Sequence, residues 1–168
     1  MTRIGVILFS VICLFSSCIK EKVAGADLKA GDRLPEFSVK MSDGTTMTDD
    51  ILSDGVSCIV FFYTSCPDCQ KALPSVQRIY DEYTIYGVTF ALISREEKVE
   101  TILPYWQSNG FTMPFSAQED RKIYELFAKT RVPRIYIVKD GIIEYIFTDN
   151  PVPEYETLYE SLRVLLEK

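Results

Sequence analysis

From residue 36 onward the apolar positions recur with two different periods, and the switches between them divide the chain into elements. Phe37-Ser38-Val39-Lys40-Met41 alternates and Ser42-Asp43-Gly44-Thr45 has a turn composition, so residues 36–48 predict a hairpin. Residues 49–55 are a polar connection with room for one helical turn. Residues 57–63, SCIVFFY, form a short continuous apolar run rich in β-formers, the pattern of a strand buried on both faces. Over residues 66–86 the period lengthens: Leu73, Val76, Ile79, Tyr80 and Tyr83 fall on one helical stripe, which Gly87 stops. Residues 88–93 predict a second buried strand, and residues 96–108 a helix interrupted by Pro104 and ended at Asn109-Gly110. A short extended segment fits residues 111–117. Residues 119–130 predict an amphipathic helix with Ile123, Tyr124, Leu126 and Phe127 inward. Strands over 134–138 and 142–147 are joined by the turn Lys139-Asp140-Gly141. Residues 154–166 predict a closing helix with Tyr155, Leu158, Tyr159, Leu162 and Leu165 on one stripe. Strands and helices alternate and the series ends in an antiparallel pair. That order predicts an α/β domain whose central mixed β-sheet carries helices on both faces, behind an N-terminal hairpin extension.

Residues 1–17 stand outside this pattern. One positive charge, Arg3, precedes twelve mostly apolar residues, 4–15, and then Ser16-Ser17-Cys18. This is the n-region, h-region and small-residue cleavage point of an export signal. The apolar run is shorter than the roughly 20 residues of a membrane-spanning helix. Leu14-Phe15-Ser16-Ser17-Cys18 resembles a bacterial lipoprotein signal, with Phe15 where such signals usually carry leucine. That resemblance implies a signal peptide over 1–17, lipidation of Cys18, a lipidated tether over 18–30 and a domain over 31–168. An ordinary secretory peptide or a short anchor helix would also export the domain, so every reading places it outside the cytoplasm, on the periplasmic side or in the cell envelope.

Composition narrows the chemistry. With 168 residues, 47% hydrophobic and 25% charged, the chain suits one globular domain. It contains no histidine, which excludes Ser-His-Asp triads, Cys-His dyads, His-ligated zinc and CxxCH haem attachment. A net charge of −6 argues against a nucleic-acid binder. Of the five cysteines, Cys13 would leave with the signal and Cys18 would carry lipid. The domain then keeps Cys58, Cys66 and Cys69, one pair and a spare.

Cys66-Pro67-Asp68-Cys69 follows a buried strand and opens a helix. CxxC spacing lets the two sulfurs meet across one helical turn. The first lies at a helix N-terminus, where unpaired N–H groups favour a thiolate, the attacking species in thiol–disulfide exchange. Pro67 gives up an N–H that had no partner. Asp68 suits the helix N-terminus but opposes a thiolate beside it.

Phe61 to Pro74, FFYTSCPDCQKALP, resembles the active-site segment of thioredoxin-fold oxidoreductases, with Ser65, Pro67 and Asp68 in the active-site loop. Pro74 stands eight residues after Cys66, where thioredoxins carry a helix-kinking proline. Val132-Pro133 before the strand at Arg134 resembles the family's cis-proline loop. Gly31-Asp32-Arg33-Leu34-Pro35-Glu36-Phe37, the Asp43-Gly44 turn and the added helix between the second and third core strands resemble the extracytoplasmic, membrane-tethered TlpA and ResA branch, close to the redoxins and peroxiredoxins. The resemblance implies a thioredoxin-like fold and an enzyme of protein thiol–disulfide exchange. Cys66 would be the nucleophile, Cys69 the resolving thiol, and the redox-active disulfide Cys66–Cys69 the working group, with no organic cofactor. Val132, Pro133 and Arg134 would dock the substrate chain. The partners implied are protein thiols or disulfides, a membrane thiol donor or acceptor, and the membrane through the lipid anchor.

Ser65 replaces the usual tryptophan before the first cysteine, and Val60 stands where thioredoxin buries an aspartate. Proton transfer from Cys69 would need another group, with Glu96, Glu97 and Asp120 the acidic candidates. Arg134 is expected to place a cation near the sulfurs, favouring the Cys66 thiolate and offsetting Asp68. Competing readings are a structural disulfide, a peroxiredoxin-like thiol peroxidase and a non-catalytic binding lipoprotein. A peroxidase signature would put Thr or Ser three residues before the cysteine and proline four further upstream, where this chain has Tyr63 and Ile59. Zinc would need two more ligands than the CxxC supplies. Cys58 reads as a small core hydrophobe, and Trp106 as either core or rim.

Overall fold

The computed structural model describes residues 26–167. The expected signal peptide, the expected lipid site at Cys18 and most of the expected tether lie outside the described residues. Strands β1 (Ser38–Lys40) and β2 (Thr46–Thr48) form the expected antiparallel hairpin. One helical turn follows, α1 (Asp49–Leu52), capped by the Thr48 hydroxyl, which accepts from the Ile51 N–H. Then come β3 (Val56–Phe62), α2 (Pro67–Tyr83), a 3-10 turn over Thr84–Tyr86, β4 (Thr89–Ser94) and α3 (Val99–Asn109). The chain ends with β5 (Phe115–Ser116), α4 (Lys122–Glu125), β6 (Arg134–Lys139), β7 (Ile142–Phe147) and α5 (Tyr155–Leu166).

Five strands make one mixed sheet in the order β5-β4-β3-β6-β7. β3 pairs parallel with β4 and antiparallel with β6, so it is central, and all seven of its residues are buried. That is why its sequence is apolar without alternation. Successive side chains point to opposite faces. On one face Phe62 packs on Trp106 of α3 at 4.8 Å, Tyr80 of α2 meets Phe90 at 5.3 Å, and α2 lies against α5. On the other, Phe61 sits 4.8 Å from Phe127 and 5.4 Å from Tyr124, with Phe37 edge-on to Phe127. The short helices serve that second face: the Ser57 hydroxyl donates to the Leu52 carbonyl of α1 at 2.7 Å. Trp106 is core, with its indole N–H on the Met113 carbonyl at 2.9 Å.

Three expectations change. The helix expected over 119–130 shrinks to the four residues of α4, and Leu126 faces outward at 39% exposure. Tyr124 and Phe127 are both drawn into the Phe61 cluster, and the Phe127 and Ala128 N–H groups turn back onto the Tyr124 carbonyl. Aromatic burial therefore outweighs the helical pattern there. Pro104 does not interrupt α3. Its ring lies on the exposed side, while Ile102 and Trp106 are anchored in the core. On α5, Leu158, Leu162 and Leu165 are buried, whereas Tyr155 and Tyr159 are half-buried at the helix edge.

Candidate active site

The C-terminal end of β3 delivers the chain to the start of α2, and the two cysteines straddle that junction. Cys66 is the residue before the helix, extended at φ −82° and ψ 119°, with Pro67 in the first helical turn. The Cys66 N–H donates to the Tyr63 carbonyl at 3.0 Å, closing the turn, and the Gln70 N–H donates to the Cys66 carbonyl at 3.0 Å. Ser65 and Pro67 are exposed and Cys66 is half-buried. Cys69, one turn along, is buried. Pro74 lies inside α2, as the spacing predicts.

Loop 129–134 meets this junction. The Val132–Pro133 peptide is cis, and the Cys66 thiol donates to the Val132 carbonyl at 3.4 Å, across 66 residues of sequence. Cys58, Cys66 and Cys69 are all free thiols. Burial pushes the Cys69 thiol far above its ordinary range, and the neighbouring Cys66 sulfur and Glu97 carboxylate push it the same way. Cys58 lies fully buried in β3 and is likewise pushed up by burial, as a core residue would be. Asp68 pairs with exposed Lys71 at 3.2 Å.

The acidic candidates separate cleanly. Asp120 is exposed and pairs with Lys122, and Glu96 pairs with Arg95 at 2.7 Å. Glu97 is buried, at 5% exposure. Its carboxylate accepts the Thr64 N–H at 2.7 Å and the Thr64 hydroxyl, two residues ahead of Cys66. Gln70 holds the Thr64 carbonyl at 2.8 Å, and Ser94 bonds the Glu97 backbone from β4. Among the described residues no hydrogen bond joins Glu97 to Cys69, and Glu97 acts on that thiol through its charge.

Arg134 departs from expectation. Its guanidinium is bound by Asp27 and by the Thr130 carbonyl, and none of its hydrogen bonds among the described residues goes to a sulfur. An Arg with a carboxylate in hand spends its charge there. The sequence alone could not flag Asp27, which lies 107 positions away. No group of three or more His, Cys, Asp or Glu side chains among the described residues has a metal-holding arrangement.

A model of the AhpC/TSA family matches residues 30–146. The thiol-disulfide oxidoreductase ResA of Oceanobacillus iheyensis is 25% identical over 124 residues, covering 70% of this chain and 64% of that protein. The sporulation thiol-disulfide oxidoreductase A of Bacillus subtilis is 26% identical over 113 residues, covering 64% of this chain and 67% of that protein. The chain thus spans about two thirds of the length of the curated relatives it matches. Among solved structures, a thiol:disulfide interchange protein of the thioredoxin family from Chlorobium tepidum superposes with a TM-score of 0.70 at 19% identity, covering 84% of this chain and 99% of that one. The thioredoxin domain of a thiol-disulfide oxidoreductase from Bacteroides vulgatus gives 0.68 at 17% identity, covering 80% and 99%. The fold is thioredoxin-like.

Proposed function

Because the chain belongs to the AhpC/TSA family, and is similar within it to proteins named thiol-disulfide oxidoreductases, we propose that it catalyses thiol–disulfide exchange on proteins, in the reducing direction. The observation that carries this is the asymmetry of the two thiols. Cys66 is half-exposed at the start of α2 and faces the Val132 carbonyl, while Cys69 is buried one turn below it. A structural disulfide has no need for one accessible partner beside a docking loop.

The steps follow from that asymmetry. The Cys66 thiolate attacks one sulfur of a substrate disulfide, forming a mixed disulfide and releasing the other sulfur as a thiolate. Substrate backbone lies along Val132 and Pro133. Burial keeps Cys69 protonated until then. Cys69 then gives up its proton and attacks the Cys66 sulfur, which frees the second substrate thiol and leaves the Cys66–Cys69 disulfide. Two electrons have passed to the substrate, and a dithiol donor must return them. The pair needs no organic cofactor, because it carries both electrons itself. Glu97 is the buried acid beside this path; burial is the main cost of ionising Cys69, and the Cys66 sulfur and the Glu97 carboxylate add to it.

We place the domain outside the cytoplasm, held by lipid on Cys18, with a membrane thiol carrier as its donor. The support is the pattern of residues 1–18. Among the described residues no helix is long and apolar enough to cross a membrane. Mass spectrometry of the mature N-terminus checks the anchor by the lipid mass on Cys18.

The deciding experiment for activity is the Cys66–Cys69 reduction potential, measured by thiol trapping in graded redox buffers, together with insulin reduction. A potential at or below about −250 mV, with turnover abolished by Cys66→Ser, supports a reductase. A value above about −180 mV would make it an oxidase or isomerase. A pair that stays oxidised past about −300 mV without turnover would leave a structural disulfide. Peroxide consumption far faster than that of a free thiol would favour the peroxidase reading instead.

A further inference from the structure

The loop that carries Val132 is closed at its root by a residue near the start of the described chain. Asp27 Oδ1 accepts the Lys129 N–H at 2.8 Å, and Asp27 Oδ2 accepts from Arg134 Nη2. Leu28, next in sequence, is buried and donates its N–H to the Phe127 carbonyl at 2.8 Å. Arg134 turns back on the same loop, with Nε 3.3 Å and Nη2 3.2 Å from the Thr130 carbonyl. One carboxylate therefore ties residue 129 to residue 134, the two ends of a loop that has Val132 and Pro133 between them. The Val132 carbonyl is the acceptor for the Cys66 thiol.

The ion pair is unequal in a way that matters. The Arg134 side chain is 8% exposed and that of Asp27 37%. A guanidinium held out of water needs acceptors, and removing its carboxylate leaves it to find others. The acceptors near it are the Thr130 carbonyl of the loop and the hydroxyls of Tyr124 and Tyr136. Asp27 holds Lys129 and Arg134 together, so losing it unties both ends of the loop rather than merely releasing a surface charge. The remaining fastenings hold its flank: Tyr124 donates to the Arg131 carbonyl, and Arg131 pairs with Asp149 at 3.3 Å.

We infer that Asp27 is a positioning residue of the redox site, acting through Arg134 to hold the Val132–Pro133 loop at its working height over Cys66. The segment ahead of the hairpin is then part of the substrate-docking apparatus. This rests on the proposed exchange activity, in which that loop receives the substrate chain.

The test uses the full chain with insulin as substrate and compares wild type with Asp27→Asn and Asp27→Glu. Three readouts are taken: KM against kcat, the Cys66–Cys69 potential, and hydrogen exchange of residues 127–134. The expected result for Asp27→Asn is a several-fold rise in KM with kcat and potential little changed. Exchange should quicken in 127–134 and not across the sheet, and Asp27→Glu should recover most of the KM. A folded Asp27→Asn protein with wild-type KM overturns the inference even if its loop exchanges faster. So does a KM rise accompanied by faster exchange throughout, which marks general destabilisation. A wild-type chain that cannot reduce insulin overturns the exchange activity and this inference together. That outcome is distinct from failure of the inference alone, in which wild type turns over and the variants match it.

Discussion

Two carboxylates each fasten one of the two loops that meet at Cys66, and they do so by opposite means. Glu97 is buried and takes neutral donors, the N–H and hydroxyl of Thr64. Asp27 is part-exposed and takes a buried cation, Arg134, together with one N–H. The loop ahead of Cys66 is thus held by hydrogen bonds inside a dry core. The loop that receives its thiol is held by an ion pair reaching the surface. The first arrangement costs desolvation of a charge and repays it with directed bonds; the second keeps part of the charge in water and is correspondingly softer. A rigid Cys66 beside a more compliant Val132–Pro133 loop would suit the proposed exchange on varied protein segments.

The sharpest way to break this comparison is to remove each carboxylate and measure stability by chemical denaturation. Glu97→Ala leaves a buried N–H and hydroxyl unpaired, at about 1–3 kcal/mol for each group, so a total loss of about 2–6 kcal/mol is expected. Asp27→Asn should cost less, about 1–2 kcal/mol, because the amide oxygen still accepts one of the two bonds and the carboxylate it replaces is part-exposed. The reverse order would mean that the ion pair is the stiffer clamp.

A pH series sharpens it next. The Cys69 thiol is raised by burial first, then by Cys66 and Glu97, and the Cys58 thiol by burial. Unfolding releases each thiol to an ordinary value near 8.5, so the unfolded chain loses protons there while the folded one keeps them. The contribution of these two thiols to the stability of the reduced protein should be constant below about pH 8.5 and fall above it, by about 1.4 kcal/mol per pH unit for each buried thiol. Oxidising Cys66–Cys69 should remove the Cys69 share and leave that of Cys58. Glu97→Gln should lower the Cys69 pKa, since it removes a nearby negative charge, whereas Asp27→Asn should leave it where it is. A Cys69 titration equally sensitive to both variants would show that the two clamps are not separate.

The smallest effect expected is that of salt. At 1 M ionic strength the screening length falls to about 3 Å, which weakens partly exposed ion pairs and spares buried hydrogen bonds. Amide exchange should quicken modestly in residues 127–134 and stay unchanged in residues 62–66. An equal response in both segments would remove the distinction.

Much of this site is legible in the chain because its parts are local. A continuous apolar run, two cysteines at helical spacing and a proline in the first turn lie within fourteen residues, and they fold as that order dictates. Val132-Pro133 is recognisable through its likeness to a known loop, and the structure brings Val132 to the Cys66 thiol. Arg134 shows the limit of the same reasoning. Its position beside Pro133 suggested a cation for the sulfurs, yet a carboxylate far along the chain captures it. Glu97 could be named as an acid but not chosen over Glu96 or Asp120, because local sequence does not reveal which neighbouring acid turns inward. The helix expected over 119–130 failed for a related reason: periodicity records which side chains want burial, not whether one straight helix can bury them all.

By itself, then, the sequence determined the hairpin, the buried strands and the helix that opens after Cys66 with Cys69 one turn along. Each depends on residues near one another along the chain, where propensity, period and spacing act directly. The tertiary structure alone decided which thiol faces outward, which acid lies beneath the loop, where the Arg134 charge is spent and how the first described residues fasten the Val132–Pro133 loop. Those outcomes depend on contacts across 33, 66 and 107 positions. Contacts at such separations exist only once the sheet has brought the strand ends together, and no local pattern encodes which partner will be waiting there.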